Sequence, residues 1–217
     1  MDPEFWREKW NKSQTGFHME QPHPDLLAEA GAFLSHGPHR VLVPLCGKTH
    51  DLAWLAARGH EVVGVELVRA AIEQFHAEHQ RQTRLREHDA GISFESASLT
   101  VHCCNVLGLT PARVGTFDRI WDRAAMVALD PARRTLYTRV LRSLLKPGGQ
   151  ILLNTFVYDQ TQMPGPPHSI TEEEVRAHYG TARVDVLRRG TPVTEGKFRE
   201  RGVTEWRTDL YRITLTE

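Results

Sequence analysis

Two apolar runs, each closed by a turn and followed by a helical segment, constrain the fold of this chain more than any other feature. Arg40-Val-Leu-Val-Pro-Leu45 is β-branched and apolar, meets Cys46-Gly47-Lys48, and turns into Asp51-Leu-Ala-Trp-Leu-Ala-Ala57, which Gly59 closes. Glu61-Val-Val-Gly-Val65 follows at once as a second buried strand ending at Glu66. A long charged helix is expected from near Val68 through the mid-80s. Strands that alternate with helices imply a mostly parallel sheet covered on both faces and joined by right-handed crossovers.

The remainder of the chain continues this alternation. Residues 3–10 read as a short amphipathic helix with Asp2 suited to N-capping and Trp6 and Trp10 at i and i+4, and residues 24–34 as a second helix. Residues 92–104 alternate loosely about Ser98 and suggest a hairpin or two short strands. Residues 116–121 read as a strand, 131–145 as a helix with Pro131 in its first turn, and Pro147-Gly148-Gly149 as the turn into a strand over 150–156. After a Pro/Gly-rich loop at 163–168, Thr171 followed by Glu172-Glu173-Glu174 is a capping arrangement for a helix. Strands near 183–187 and 206–215 close the chain without a long helix between them, which allows a reversed strand near the C-terminal edge. The expected architecture is a doubly wound α/β sheet of about seven strands in one domain spanning residues 1–217.

Composition excludes several function classes. With 217 residues, the chain fits one large domain, long enough to bury roughly two-thirds to three-quarters of its unfolded surface. Lys plus Arg and Asp plus Glu both number 27, so there is no basic stripe for tracking a phosphate backbone, and nucleic acid is not an expected partner. The three cysteines, Cys46, Cys103 and Cys104, form no disulfide framework and read as small buried hydrophobes in a reducing compartment. The first residues lack the apolar core of a secretory signal, and no uninterrupted apolar run reaches about 18 residues, so the expectation is a soluble cytoplasmic protein. His76 and His79 fall at i and i+3 on a stretch rich in Glu, Gln and Arg, a solvated face rather than a metal site, and no zinc-type spacing occurs.

In a doubly wound sheet, ligands bind outside the carboxyl ends of the strands where strand order reverses. Leu45-Cys46-Gly47 and Glu66 both fall there. Gly47 lets the backbone pass close to a ligand, the next helix offers free N–H groups, and Glu66 is placed to accept hydrogen bonds from both hydroxyls of a ribose. Gly47-Lys48-Thr49 has the tail of a phosphate-binding loop, but that motif needs a glycine five residues earlier, where Leu42 stands. A dinucleotide fingerprint needs three glycines, and this turn has Gly47 alone, which argues against a nicotinamide cofactor. A cofactor with a ribose and no phosphates suits such a turn, and S-adenosylmethionine is the common one of that kind.

Four segments carry a resemblance: Val43-Pro-Leu-Cys-Gly-Lys48, Arg58-Gly-His-Glu-Val-Val-Gly-Val-Glu66, Phe117-Asp-Arg-Ile-Trp-Asp-Arg123-Ala-Ala-Met-Val-Ala128 and Pro164-Gly-Pro-Pro167. Together they resemble the thiopurine S-methyltransferase family over nearly the whole chain. The resemblance implies a Rossmann-like fold and methyl transfer from S-adenosylmethionine to small aromatic or heterocyclic thiols, with S-adenosylhomocysteine as product and no metal. It further implies that Leu45 and Gly47 approach the methionine part, that Glu66 holds the ribose, and that Asn105 and Val106 flank the adenine. Arg123 would lie near the cofactor's carboxylate end or the substrate. An N-terminal helical lid over residues 1–36, carrying Trp10, Phe17 and His18, would close over the pocket.

Methyl transfer from a sulfonium to sulfur is a direct displacement, so alignment and electrostatics are what the protein must supply. Aromatic thiols ionise readily, and a strong general base is not required. The expectation is that Arg123, with help from Arg201, stabilises an anionic or polarised heterocycle, because guanidinium stays charged and stacks on aromatic faces. Phe17 would offer a stacking face, and the 163–168 loop would serve the lid and substrate pocket. Methylation of selenium or tellurium species is an alternative within the same chemistry. A non-catalytic cofactor-binding protein and a nucleotide-dependent oxidoreductase are alternatives outside it. A monomer is expected.

Overall fold

The apolar run after Arg40 forms the spine of the sheet. In the computed structural model, which describes residues 3–88 and 91–216, the elements are α1 (Pro3–Asn11), α2 (Pro24–Phe33), β1 (Arg40–Pro44), α3 (His50–Ala56), β2 (Glu61–Glu66), α4 (Arg69–Glu78), β3 (Arg84–His88), β4 (Gly91–Ser96), β5 (Leu99–Cys103), α5 (Pro111–Val114), β6 (Phe117–Arg123), α6 (Pro131–Leu144), β7 (Leu145–Tyr158), α7 (Glu172–Tyr179), β8 (Arg183–Arg189), α8 (Lys197–Glu200) and β9 (Trp206–Thr214). The described strands form one nine-stranded sheet in the order β3-β4-β5-β2-β1-β6-β7-β9-β8. From β5 across to β7 the pairings are all parallel. Among the described residues no helix is long and apolar enough to cross a membrane.

Alternate residues of the central strands feed two separate apolar layers. Leu42, Val63, Ile151 and Leu153 point to the side covered by Tyr137 and Leu141 of α6 and Val175 of α7. Val41, Val43, Val62 and Leu152 point to the side covered by α2, α3 and α4 through Phe33, Leu52 and Phe75. A slip of one residue in any of these strands would exchange the two layers, so burial on both faces fixes the register. The doubly wound α/β expectation therefore holds, with two more strands than the seven expected.

The strand not foreseen is β3, at one margin, where β3, β4 and β5 form an antiparallel meander; β4 and β5 are the hairpin suggested over residues 92–104. The long helix expected through the mid-80s stops at Glu78, and residues 84–88 are strand. Gln80, with φ +50°, takes the left-handed position after the helix, and the Arg81 N–H reaches back to the His76 carbonyl at 2.9 Å, a Schellman-type ending built on glutamine instead of glycine. His76 also departs from expectation. It is buried against Phe94, with rings 5.8 Å apart and nearly parallel, and burial first, then Arg81 and His79, lower its pKa to about 4.

At the other margin the reversed strand is β9, and it lies one place in from the edge, between β7 and β8. Strand β7 begins at Leu145 rather than Gln150. Pairing with β6 skips from Phe117↔Leu145 to Arg119↔Gln150, so the Pro-Gly-Gly segment is accommodated as an irregularity inside the strand. Thr171 caps α7 as expected, its hydroxyl accepting from the Glu174 N–H at 3.3 Å. The proposed cap Asp2 lies outside the described residues.

Candidate functional site

Strand order reverses between β2 and β6, with β1 between them. The carboxyl ends of these three strands therefore diverge into a crevice, and a cavity of about 750 Å³ opens there. Two non-glycine residues on its wall hold left-handed backbone, Leu45 after β1 at φ +47° and Ala124 after β6 at φ +59°. Such conformations cost of order 1–3 kcal/mol each and persist where the surroundings fix them. After β6 that fixing comes from buried Asp122, which accepts from the Met126 N–H at 3.1 Å and the Tyr137 hydroxyl at 2.7 Å. Burial lifts the Asp122 carboxyl to about 6, against the pull of these donors.

Gly47 and Glu66 face each other. The Gly47 N–H donates to one carboxylate oxygen of Glu66 at 2.8 Å, and the Val68 N–H donates to the other at 2.8 Å. Each oxygen accepts one backbone donor and retains acceptor capacity, and Glu66 lines the cavity, which is what a carboxylate that receives a vicinal diol requires. Burial raises the Glu66 pKa, and the backbone donors of Val68, Gly47 and Leu67 oppose the rise. Gly47 itself sits at φ +52°, and a Cβ there would stand 3.0 Å from the Trp10 indole. Glycine is thus needed twice, for its backbone angle and for the seat of the tryptophan.

That tryptophan brings the N-terminal segment over the cavity. Trp10 is buried with Val68 and Ala71, and its ring and that of Trp6 each lie 5.8 Å from Phe17 in edge-on contact. Across the cavity Phe198 stacks on Trp206 at 4.7 Å, beside Phe156. The Lys197 ammonium donates to the Gly16 carbonyl at 3.2 Å and joins the two walls, and Arg201, exposed, donates to the Pro166 carbonyl at 3.1 Å. The cavity lining is mainly aromatic and apolar, with a few polar groups converging on it, as small-molecule sites are.

Arg123 lies largely buried on the cavity wall and makes no hydrogen bond or ion pair with any described residue. Burial lowers its pKa, and Asp51 alone works in the other direction. The Asp51 carboxylate is already taken by the His23 N–H at 2.7 Å and the Trp121 indole N–H at 2.8 Å. The guanidinium is left with its donors free to meet an anion.

Of the residues singled out in the sequence, Trp10, Phe17, His18, Leu45, Gly47, Glu66, Arg123 and Arg201 all line this cavity, as does Trp6. Asn105 and Val106 are not among its lining residues. The Asn105 side chain accepts from the Leu107 N–H at 3.0 Å and starts the short turn Val106–Gly108, while Val106 is buried in the core. Sequence reasoning passed over Asp51, Leu67, Trp121 and Ala124, which also line the cavity. Of these, Trp121 lay within the quoted Ile-Trp-Asp-Arg segment, and Asp51 opened the helical run after the Cys-Gly-Lys turn. Among the described residues there is no group of three or more His, Cys, Asp or Glu that could hold a metal ion.

Comparison with known proteins bears on this cavity. The family described as Thiopurine S-methyltransferase (TPMT) matches residues 1–216. Thiopurine S-methyltransferase of Bordetella petrii is 43% identical over 216 residues, 98% of this chain and 98% of the relative. The Bos taurus protein of the same name is 38% identical over 218 residues, covering 97% of this chain and 89% of its own length. Among solved structures, a Burkholderia thailandensis 1,6-didemethyltoxoflavin-N1-methyltransferase with bound 1,6-didemethyltoxoflavin and S-adenosylhomocysteine superposes with a TM-score of 0.68 at 17% identity, over 99% of this chain and 87% of that one. The N-methyltransferase NodS of Bradyrhizobium japonicum, in complex with S-adenosylhomocysteine, gives 0.68 at 14% identity, over 97% and 98%. These two likenesses are of fold, while the family match and the full-length relatives settle descent: the chain belongs to the thiopurine S-methyltransferase family and is an S-methyltransferase.

Proposed function

We propose that this chain moves a methyl group from S-adenosylmethionine to the sulfur of small aromatic or heterocyclic thiols, thiopurines among them. The observation that carries the reading is the buried Glu66 carboxylate on the cavity lining, latched by one backbone N–H on each oxygen, from Gly47 and Val68. The residues fit a nucleoside bearing a cationic centre and a carboxylate: an acid for the ribose, indole and phenyl faces at Trp10 and Phe17 for the positive charge, and an unpaired guanidinium at Arg123. When bound, this cofactor supplies a methyl group on a cationic sulfur. Trp10, closing on Gly47, excludes water from that group, Glu66 fixes its distance from the sheet, and the Phe156, Phe198 and Trp206 wall holds a flat acceptor opposite. Arg123 and Arg201 stabilise negative charge on the acceptor ring.

Residues 1–36 act as a lid on one domain comprising residues 1–217. Support comes from the Trp10 seat and the Lys197 to Gly16 bridge. The chain works as a monomer in the cytoplasm; support for the compartment comes from free thiols at Cys46, Cys103 and Cys104 that burial keeps protonated. Transfer of labelled methyl from S-adenosylmethionine should be measured against thiols, selenols and thiopurines, alongside calorimetric titration with S-adenosylmethionine and S-adenosylhomocysteine. Binding of both cofactors and labelling of an aromatic thiol are expected. Binding of a nicotinamide dinucleotide in their place would overturn the reading.

A further inference from the structure

Methylation of a thiol releases a proton, and the cavity wall carries an imidazole that can take it. The two carboxylates on the wall are tied to structural donors, Glu66 to the Gly47 and Val68 N–H groups and Asp51 to the His23 N–H and the Trp121 indole. Among the described residues His18 is the single imidazole on the lining, and its ring makes no hydrogen bond or ion pair with any of them. The ring is held in place from outside the cavity: a turn fixes its backbone, with the His18 N–H donating to Thr15 at 2.8 Å, and its face lies against His50 at 5.5 Å. His50 in turn meets His79 edge-on at 4.9 Å.

Resting on the thiol reading above, we propose that His18 is the proton acceptor of the reaction, removing the acceptor's S–H proton beside Arg123. The S–H bond breaks with its electron pair left on sulfur, and the proton moves to the His18 imidazole. The sulfur pair then forms the new bond to the methyl carbon, and the old methyl–sulfur bond breaks with its pair on the donor sulfur, which becomes a neutral thioether. The imidazolium returns its proton to water at the cavity mouth. The charged and titratable groups that face His18 are Lys48 after β1, His50 on α3, Glu78 on α4 and Arg123 after β6. Burial first, then Lys48, His50 and Arg123, hold the imidazole below its ordinary range against Glu78, so it stands neutral and ready to accept near neutral pH. The consequence for substrate class is that thiols still protonated at neutral pH are substrates, and not only thiones and thiols that ionise in water.

The test compares wild type with His18→Gln and His18→Asn across aryl and alkyl thiols of graded acidity. General-base assistance is worth roughly 10²–10⁴-fold. The loss of kcat/KM in the variants should therefore grow with thiol pKa, to at least tens-fold more for thiols protonated at the assay pH than for pre-ionised ones. In ternary complexes with S-adenosylhomocysteine, thiolate absorbance of a bound aryl thiol should emerge at higher pH in the variants than in wild type. Losses of equal size across the series, or thiolate absorbance with the same pH midpoint in all three proteins, would overturn the proposal. Should wild type methylate no thiol at all, the parent reading fails first, and that outcome is distinct from either.

Discussion

The pairing of Gly47 with Trp10 shows how one missing Cβ shapes the pocket. Alanine at position 47 must adopt a left-handed angle, at roughly 1–2 kcal/mol, and must displace an indole 3.0 Å away. Gly47→Ala is expected to lower stability by about that amount and to weaken S-adenosylhomocysteine binding, checked by urea midpoints and calorimetry. In the Trp10→Ala background the same change should cost less, since the clash is gone. Glu66→Gln places an amide NH₂ against one of two backbone N–H donors and removes the charge that receives the sugar hydroxyls. A hydrogen bond to a charged group contributes about 1.5–3 kcal/mol, so cofactor affinity should fall roughly 10- to 150-fold. Both positions were legible in the sequence because turn chemistry and strand ends are local. Asn105 and Val106, expected beside the adenine, do not line the cavity. Whether the residue after β5 faces a ligand or caps its own turn depends on the path of the next segment, and nothing within a few residues encodes that path.

At the scale of elements, legibility followed hydrophobic contrast. Strands β1 and β2 are apolar enough to be read directly, but β3 exposes all five of its residues, Arg-Leu-Arg-Glu-His, and offers no alternation to read. The end of α4 was missed for a related reason, because Gln80 takes the turn that glycine usually marks. The turn after β6 leads to a pH prediction. Asp122 has a folded-state pKa raised from 3.8 to about 6, so the folded protein keeps a proton that the unfolded chain has already released. The associated stability is present in full below about pH 4 and is lost as pH rises through about 6, a change of about 3 kcal/mol. Asn at this position does not titrate. Urea denaturation of wild type and Asp122→Asn at a series of pH values should show wild-type stability falling relative to the variant across that window, with a flat difference above it.

For the whole molecule, the proposed lid is anchored unevenly. Helix α2 is set in the core through Leu26 and Phe33, whereas the segment before it holds on through Trp10 against Gly47, Val68 and Ala71 and meets the far wall through Lys197 and Gly16. Regions with few buried contacts open at low free energy. Amide exchange between residues 5 and 19 should accordingly slow on addition of S-adenosylhomocysteine by more than exchange in β1, β2 or β6, as followed by mass spectrometry; equal slowing everywhere would count against a lid. The cavity also draws its walls from Phe5 at one extreme and Trp206 at the other. Contacts so far apart along the chain form late, because loop closure must come first. The residues placed around the donor lie within the first 123 positions, whereas the acceptor's wall of Phe156, Phe198 and Trp206 comes from the last third, so a chain cut before α8 would keep the residues of one reactant and lose the surface that meets the other.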